Sequence, residues 1–230
     1  MIGFYDYTVI LTYLSLLSAS FGIIVSLSGA GHPYLGGFFL LFCGLCDAFD
    51  GKVARSKKDR LPEEQSFGVQ IDSLSDLVAF GVLPACIGSA LLRVSPYMRE
   101  LTEQHGSFVF KTVTVLLTAL LVLYVLAALI RLAYFNVTEE KRQREEDGVR
   151  QYYVGLPVTT SALIFPFILL INYITPYEIT PLYFACTVFM GFAFLGKFKI
   201  KKPGLCGVLI MVGIGALEFL LLLIGKLLKC

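Results

Sequence analysis

Seven long apolar stretches, at about 8–28, 34–54, 69–92, 108–137, 154–174, 179–196 and 204–226, decide what this chain can become. A bilayer core takes about 20 apolar residues of helix to cross. Only helices and closed barrels satisfy every backbone polar group in lipid, and these stretches lack the alternation of barrel strands. The reading is an all-α, polytopic membrane helix bundle. Composition agrees: 57% of the 230 residues are hydrophobic and 16% charged, against about 25% charged in soluble domains. So few polar residues cannot cover a soluble globule of this size. The first stretch is too long for a signal-peptide core and follows Asp6 rather than a basic residue, so it should remain as the first span. The fourth is long enough to tilt or protrude, and the brief Thr175–Glu178 link makes the fifth and sixth a tight hairpin. No internal repeat or separate soluble domain is visible.

The net charge of +2 gives no sign of a nucleic-acid partner, but the placement of the basic residues is informative. Lys52, Arg55, Lys57, Lys58 and Arg60 flank the link between the second and third spans. Lys141, Arg142, Arg144 and Arg150 follow the fourth, and Lys197, Lys199, Lys201 and Lys202 follow the sixth. Arg93, Arg99, Lys111, Lys226 and Lys229 fall on the other side. Thirteen against five places the even-to-odd links and the N-terminus in the cytoplasm of a multi-pass cell-membrane protein, with the C-terminus outside. The polar stretch from Thr138 to Gln151 mixes both signs and reads as a solvated helical extension or loop.

The six cysteines (Cys43, Cys46, Cys86, Cys186, Cys206 and Cys230) lie in or beside apolar runs and read as small buried hydrophobes. Cys43 and Cys46 have the spacing of a redox or zinc half-site. The two histidines, His32 and His105, stand in distant loops, so helix packing is the preferred reading.

The sparse acids carry the chemistry. The second span ends in Asp47-Ala-Phe-Asp50-Gly51-Lys-Val-Ala54-Arg55, and the third opens with Gly68-Val-Gln-Ile-Asp72-Ser-Leu-Ser-Asp76. On a helix, residues three apart differ by about 60° and four apart by about 40°, so each helix shows a pair of carboxylates on one face. Antiparallel neighbours joined by a short link bring the two pairs together. At about 5 Å and an effective dielectric near 20, each of the pairwise repulsions is roughly 3 kcal/mol. Their sum, on the order of 20 kcal/mol, exceeds the net stability of a domain. Bound divalent cations relieve this while using all four groups, and all-oxygen ligation suits magnesium, calcium or manganese rather than zinc. Two such ions can clamp a phosphoryl group in an in-line displacement. The competing reading pairs the acids with Lys52, Arg55 or Lys57 as helix-end salt bridges. Gly51 and Ala54 either let a flat group approach the backbone or serve close helix packing. Arg55 either neutralises a phosphate or reaches for the interface.

At these residues the sequence resembles the CDP-alcohol phosphotransferase family, whose signature is D-x2-D-G-x2-A-R, a spacer, then G-x3-D-x3-D. Asp47, Asp50, Gly51, Ala54, Arg55, Gly68, Asp72 and Asp76 fill every fixed position. The spacer, Ser56 to Phe67, has twelve residues in place of the usual eight and is expected to be a loop insertion. Asp72 to Ala85, Arg131 to Asn136, Gly155-Leu-Pro157 opening the fifth helix and Lys197-Phe-Lys199 are similar to the phosphatidylserine synthase branch. Ser15 stands where that branch usually has asparagine. The likeness covers roughly residues 8 to 203, which implies a six-span core over 1–203 and an additional transmembrane helix over 204–230.

The resemblance implies a CDP-diacylglycerol donor, L-serine as acceptor, CMP as leaving product and a divalent cation, Mg or Mn, two per site. It makes Asp47, Asp50 and Asp72 metal ligands and Asp76 the general base that also touches a metal. It places Asp47, Gly51, Ala54, Arg55 and Gly68 at the CDP-lipid, and it leads to an expected homodimer. Arg131 is the basic residue embedded in an apolar helix; such charges usually face a cavity, and a guanidinium suits a carboxylate. Arg131 and Asn136 are therefore candidates for holding serine or a lipid phosphate, against a structural pairing of Arg131 with an aspartate. Sister enzymes using glycerol 3-phosphate or inositol phosphate are the alternative within the family. A cation-coupled transporter is the alternative of another class, and it should show broken helices near mid-membrane. Glu218, alone in the seventh stretch, is given no chemistry.

Overall fold

The computed structural model describes residues 3–29, 31–59, 61–145, 152–175, 177–201 and 205–228. Arg60, Glu146, Asp147, Arg150, Gln151, Lys202, Lys229 and Cys230 lie outside these, as do the side chains of His105, Arg144, Glu145, Cys206 and Lys226.

The described chain is helical almost throughout, in the order that the apolar stretches predict. Asp6 accepts from the Tyr7 N–H at 2.6 Å and starts a 3-10 turn, Tyr7–Val9, that runs into α1, Ile10–Leu27. Gly29 and Gly31, at φ 55° and 101°, turn the chain back. Pro33 then opens α2, Pro33–Ser56, in the first-turn position where its missing N–H costs nothing. Glu64 accepts from the Leu61 N–H at 3.2 Å and caps α3, Pro62–Asp76. The spacer expected as a loop insertion is thus largely ordered, because its second half supplies the first turns of α3. Lys57 ties it to the N-terminus, 2.6 Å from Asp6 and 3.2 Å from Glu64. Those two carboxylates, Asp6 first, push the Lys57 ammonium above its ordinary pKa.

α3 continues through a π-helical segment, Leu77–Val82, into α4, Leu83–Val94, as one rod. Pro84 explains the distortion: a proline cannot donate to the carbonyl four residues back and its ring crowds it. That carbonyl, on Phe80, instead accepts from the Tyr124 hydroxyl at 2.7 Å, and the Pro84 carbonyl accepts from Tyr183 at 2.7 Å. Neighbouring helices thus satisfy the backbone groups that lipid could not.

α5, Pro96–Glu145, is broken at Gly106 (φ 80°, ψ 170°), so a separate helical stretch precedes the fourth span. Two short strands, β1 (Tyr152–Val154) and β2 (Lys199–Lys201), pair antiparallel, with Tyr153 opposite Ile200. The fifth apolar helix does not open at Gly155 as expected. It begins after β1 and a 3-10 turn, as α6, Ser161–Ile174. α7, Thr180–Leu195, and α8, Leu205–Leu228, complete the chain. Tyr152, Tyr153, Val154 and Ile200 are strand-favouring residues, but three residues are too short to show an alternating pattern, which is why sequence reading passed over them.

The core lies where α2, α4, α5, α6 and α7 meet, around Leu40, Phe80, Leu83, Ile87, Phe165 and Tyr183. Helices approach through small residues: a Cβ on Gly44 would stand 2.5 Å from the Ala162 Cβ. Large apolar side chains point outward, Phe189 at 68% and Phe192 at 75% exposed. A soluble protein would hide them; in a bilayer they are solvated by lipid. Four described helices are long and apolar enough to cross a membrane, and the helices Val158–Asn172 and Thr180–Leu195 are shorter apolar ones. The fold is an all-α polytopic membrane bundle.

Candidate active site

α1 is the element that positions the site. Its backbone packs along both α2 and α3, whereas α2 and α3 touch one another little. Polar ties fix the wedge: Ser18 Oγ donates to the Phe39 carbonyl at 3.0 Å and Cys43 Sγ to the Ser15 carbonyl at 3.3 Å. On the other flank, Ser75 Oγ donates to the Thr12 carbonyl at 3.2 Å. α2 packs on the rod of α3 and α4 farther along, at α4, so the two acidic helices are neighbours, with α1 packed against both near the aspartates.

The four aspartates do come together. Asp50 and Asp72 stand within reach of one another, Asp47 within electrostatic reach of Asp72, and Asp76 within reach of all three. All four are half-buried. Carboxyl groups gathered this closely need a proton or a cation between them. The helix-end salt bridges do not form among the described residues. Lys57 is held by Asp6 and Glu64, Lys52 sits 5.4 Å from the centre of the Phe49 ring, and Arg55 folds back over its own helix. Its Nη1 lies 3.2 Å from where a Cβ on Gly51 would stand, so the missing side chain makes room for the guanidinium. Ala54 and Gly68 are half-buried beside it in sequence, on α2 and α3.

Among the described residues, no three acid, histidine or cysteine side chains close around one metal-sized point. The chemistry of the donor set still fits a divalent cation. Carboxylates on two helices, close at Asp50 and Asp72 and without a basic partner among the described residues, are hard oxygen ligands in search of positive charge.

Arg131 is buried, 6% exposed, on α5. Its Nε donates to the Leu156 carbonyl at 3.2 Å and its guanidinium lies 5.5 Å from the Phe135 ring centre. Phe135 in turn meets Tyr153 of β1, with ring centroids 6.0 Å apart. Asn136 Nδ2 donates to Ser73 Oγ at 2.7 Å, beside Asp72. The structure thus brings Asn136 to the aspartates and ties Arg131 to the segment after β1. Two partners escaped sequence reading. Ser73 stands inside the signature at a position it leaves open, and the Leu156 carbonyl is a backbone group that no residue pattern advertises.

Cys43 and Cys46 are buried and not disulfide-bonded, and Cys86 and Cys186 are also free thiols, in keeping with packing roles. The Ser15 hydroxyl is buried without a hydrogen-bond partner in the described structure. Glu218 is buried on α8, which packs on α6 and α2, and its Oε2 is likewise without a partner there.

The chain is similar to proteins of known name. The chain is 33% identical over 142 residues to the CDP-diacylglycerol–serine O-phosphatidyltransferase of Saccharomyces cerevisiae, covering 60% of this chain and 43% of the relative. It is 30% identical over 153 residues to the archaetidylserine synthase of Methanothermobacter thermautotrophicus, covering 65% and 53%. A Helicobacter pylori CDP-diacylglycerol–serine O-phosphatidyltransferase is 28% identical over 120 residues, covering 52% and 39%. The chain thus spans about half the length of the curated relatives it matches. The model of the CDP-alcohol phosphatidyltransferase family matches residues 8–195, from the start of the first helix to the end of α7. With the aspartates of both signature blocks gathered at one place, the chain belongs to the CDP-alcohol phosphatidyltransferase family, whose members generally depend on a divalent cation.

Proposed function

We propose that this protein is a phosphatidyltransferase that moves the phosphatidyl group of CDP-diacylglycerol onto the hydroxyl of L-serine and releases CMP. The observation that carries this reading is the contact of Asp50 with Asp72, which joins two carboxylate pairs while the nearby bases are turned elsewhere. The serine in the names of all three relatives supports the choice of acceptor.

In this reading Asp47, Asp50 and Asp72 would hold two Mg or Mn ions, with Asp76 beside them, and when bound the ions would supply positive charge to the pyrophosphate. Gly51 and Ala54 leave the backbone open to the cytidine, Arg55 supplies a cation for the nucleotide phosphate, and Gly68 admits the donor at the start of α3. Asp76 accepts the proton of the serine hydroxyl as its oxygen bonds to the lipid-side phosphorus. The bond from that phosphorus to the bridging oxygen breaks, and CMP leaves with the electron pair. Asn136, through Ser73, stands at the acceptor side, and Arg131 binds the serine carboxylate. The basic residues around the 2–3, 4–5 and 6–7 links support a cytoplasmic site in the cell membrane, with the N-terminus on that side and a homodimer as the working unit.

Incorporation of labelled serine by the purified full chain, given CDP-diacylglycerol and magnesium or manganese, tests the whole reading. Phosphatidylserine and CMP should appear in equal amounts. CMP release with glycerol 3-phosphate or an inositol phosphate, and none with serine, would replace the acceptor. A second expectation concerns Arg131→Lys, which keeps the charge and loses the planar fork. A lost charge-assisted bond predicts that the serine KM rises about tenfold or more, with the CDP-diacylglycerol KM unchanged. An unchanged serine KM removes Arg131 from the acceptor site.

A further inference from the structure

The end of the bundle away from the aspartates holds a cavity of about 380 Å³ between α4 and α5. Arg93, Arg99 and Ser89 are among the residues that line it, and Leu92, Met98 and Phe110 supply its apolar part. Seventeen residues of one helical rod separate Asp76 from Arg93, which is about 25 Å at about 1.5 Å per residue. That distance approaches the thickness of a bilayer core, about 30 Å, so the cavity sits at the opposite membrane boundary. The exposed rings of Tyr97 and Phe108, 47% and 82% accessible, flank it as aromatic residues do at membrane interfaces.

We infer that this cavity binds the phosphate of an anionic phospholipid from the leaflet opposite the carboxylate site. Arg93 is positioned by one bond, Nη1 to the Leu27 carbonyl at 3.0 Å, and keeps its remaining N–H groups for a ligand. Among the described residues no hydrogen bond or ion pair engages the Arg99 guanidinium. Glu178, which accepts from Ser95 of this wall, also accepts from the Thr180 N–H and hydroxyl, and among the described residues it forms no ion pair with either arginine. Two guanidiniums at one mouth match the bidentate geometry of a phosphodiester better than that of a single carboxylate. A soluble anion has no use for Leu92, Met98 and Phe110, whereas the glycerol and upper acyl carbons of a lipid do. The size is that of a small-ligand site, enough for a headgroup but not for acyl tails, which must run out along the lipid-facing surface of α5.

Native mass spectrometry of the full chain, released from detergent and titrated separately with phosphatidylglycerol, phosphatidylcholine and inorganic phosphate, tests this. Phosphatidylglycerol should bind in preference to the other two. The double variant Arg93→Gln/Arg99→Gln should weaken it at least about tenfold, the equivalent of about 1.4 kcal/mol. Arg93 also anchors the end of α1, so Arg99→Gln alone provides the measurement free of that role. It should leave the melting temperature unchanged and still weaken phosphatidylglycerol several-fold. Equal binding of phosphatidylcholine, equal binding of inorganic phosphate, or undiminished phosphatidylglycerol binding by Arg99→Gln would each overturn the inference. None of these readouts depends on transferase activity, so they stand apart from the proposed reaction.

Discussion

Asp76→Asn is expected to lower CMP release by roughly a thousandfold, within the range of about 10²–10⁴ that a positioned general base contributes. Asparagine keeps the size of the side chain and removes its capacity to accept a proton. The loss should fall on kcat, with the KM for CDP-diacylglycerol changed little. Stability should move in the opposite direction. In the presence of a chelator Asp76 stands within reach of three other carboxylates, and removing one charge from that group relieves repulsion. The variant should therefore melt at or above the wild-type temperature while turning over far more slowly. A merely structural aspartate would lose both together. Near-wild-type turnover would remove the proton-accepting role from Asp76 and leave it as one ligand among four. The same experiment on Asp50→Asn should also cut turnover, and it separates the roles by adding a requirement for more magnesium or manganese at half-maximal rate.

The constraint of the bilayer made much of this legible beforehand. Apolar stretches long enough to cross lipid have few alternatives to helix, so the helices appear where hydropathy places them. The pairing of acids at three- and four-residue spacing put Asp47 with Asp50 and Asp72 with Asp76, and the fold joins the pairs. Sequence spacing did not reveal that α1 packs on both α2 and α3, because the Ser18, Cys43 and Ser75 bonds that fix it there end on backbone carbonyls. The π turn at Leu77–Val82 was implicit in Pro84, but only the Tyr124 and Tyr183 hydroxyls, 44 positions from Phe80 and 99 from Pro84, show how these carbonyls are satisfied. Lys57 illustrates the reverse difficulty. Its position beside the aspartates suggested a salt bridge to them, and the partners it takes, Asp6 and Glu64, come from the N-terminus and from the first turn of a helix that the spacer itself builds.

The antiparallel pairing of β1 with β2 predicts the largest structural effect of a single substitution. Gly155 sits at φ 74°, in the left-handed region, and a Cβ there would stand 2.8 Å from the Gly196 carbonyl oxygen and 2.9 Å from that of Phe194. Its N–H donates to the Phe198 carbonyl at 2.7 Å, and the Leu156 N–H to Ala193 at 3.0 Å, so the close approach is what binds this segment to the end of α7. No rotamer moves a Cβ away from backbone oxygens. Gly155→Val combines backbone strain of about 1–3 kcal/mol with overpacking of similar size. At roughly 2–4 °C per kcal/mol for a chain of this length, the melting temperature should fall by about 10 °C. Gly155→Ala should show a smaller shift of the same sign. Gly213, in α8 with nothing within 4 Å of its would-be Cβ, provides the control, and Gly213→Ala should hold or raise the melting temperature. An unshifted Gly155→Val would mean that the segment is not held as tightly as these contacts require. The damage should also reach chemistry, because the next residue's carbonyl is the one that accepts from Arg131. Gly155→Ala, still folded, should therefore raise the KM for serine more than that for CDP-diacylglycerol, linking a glycine with no charge of its own to the buried guanidinium of Arg131.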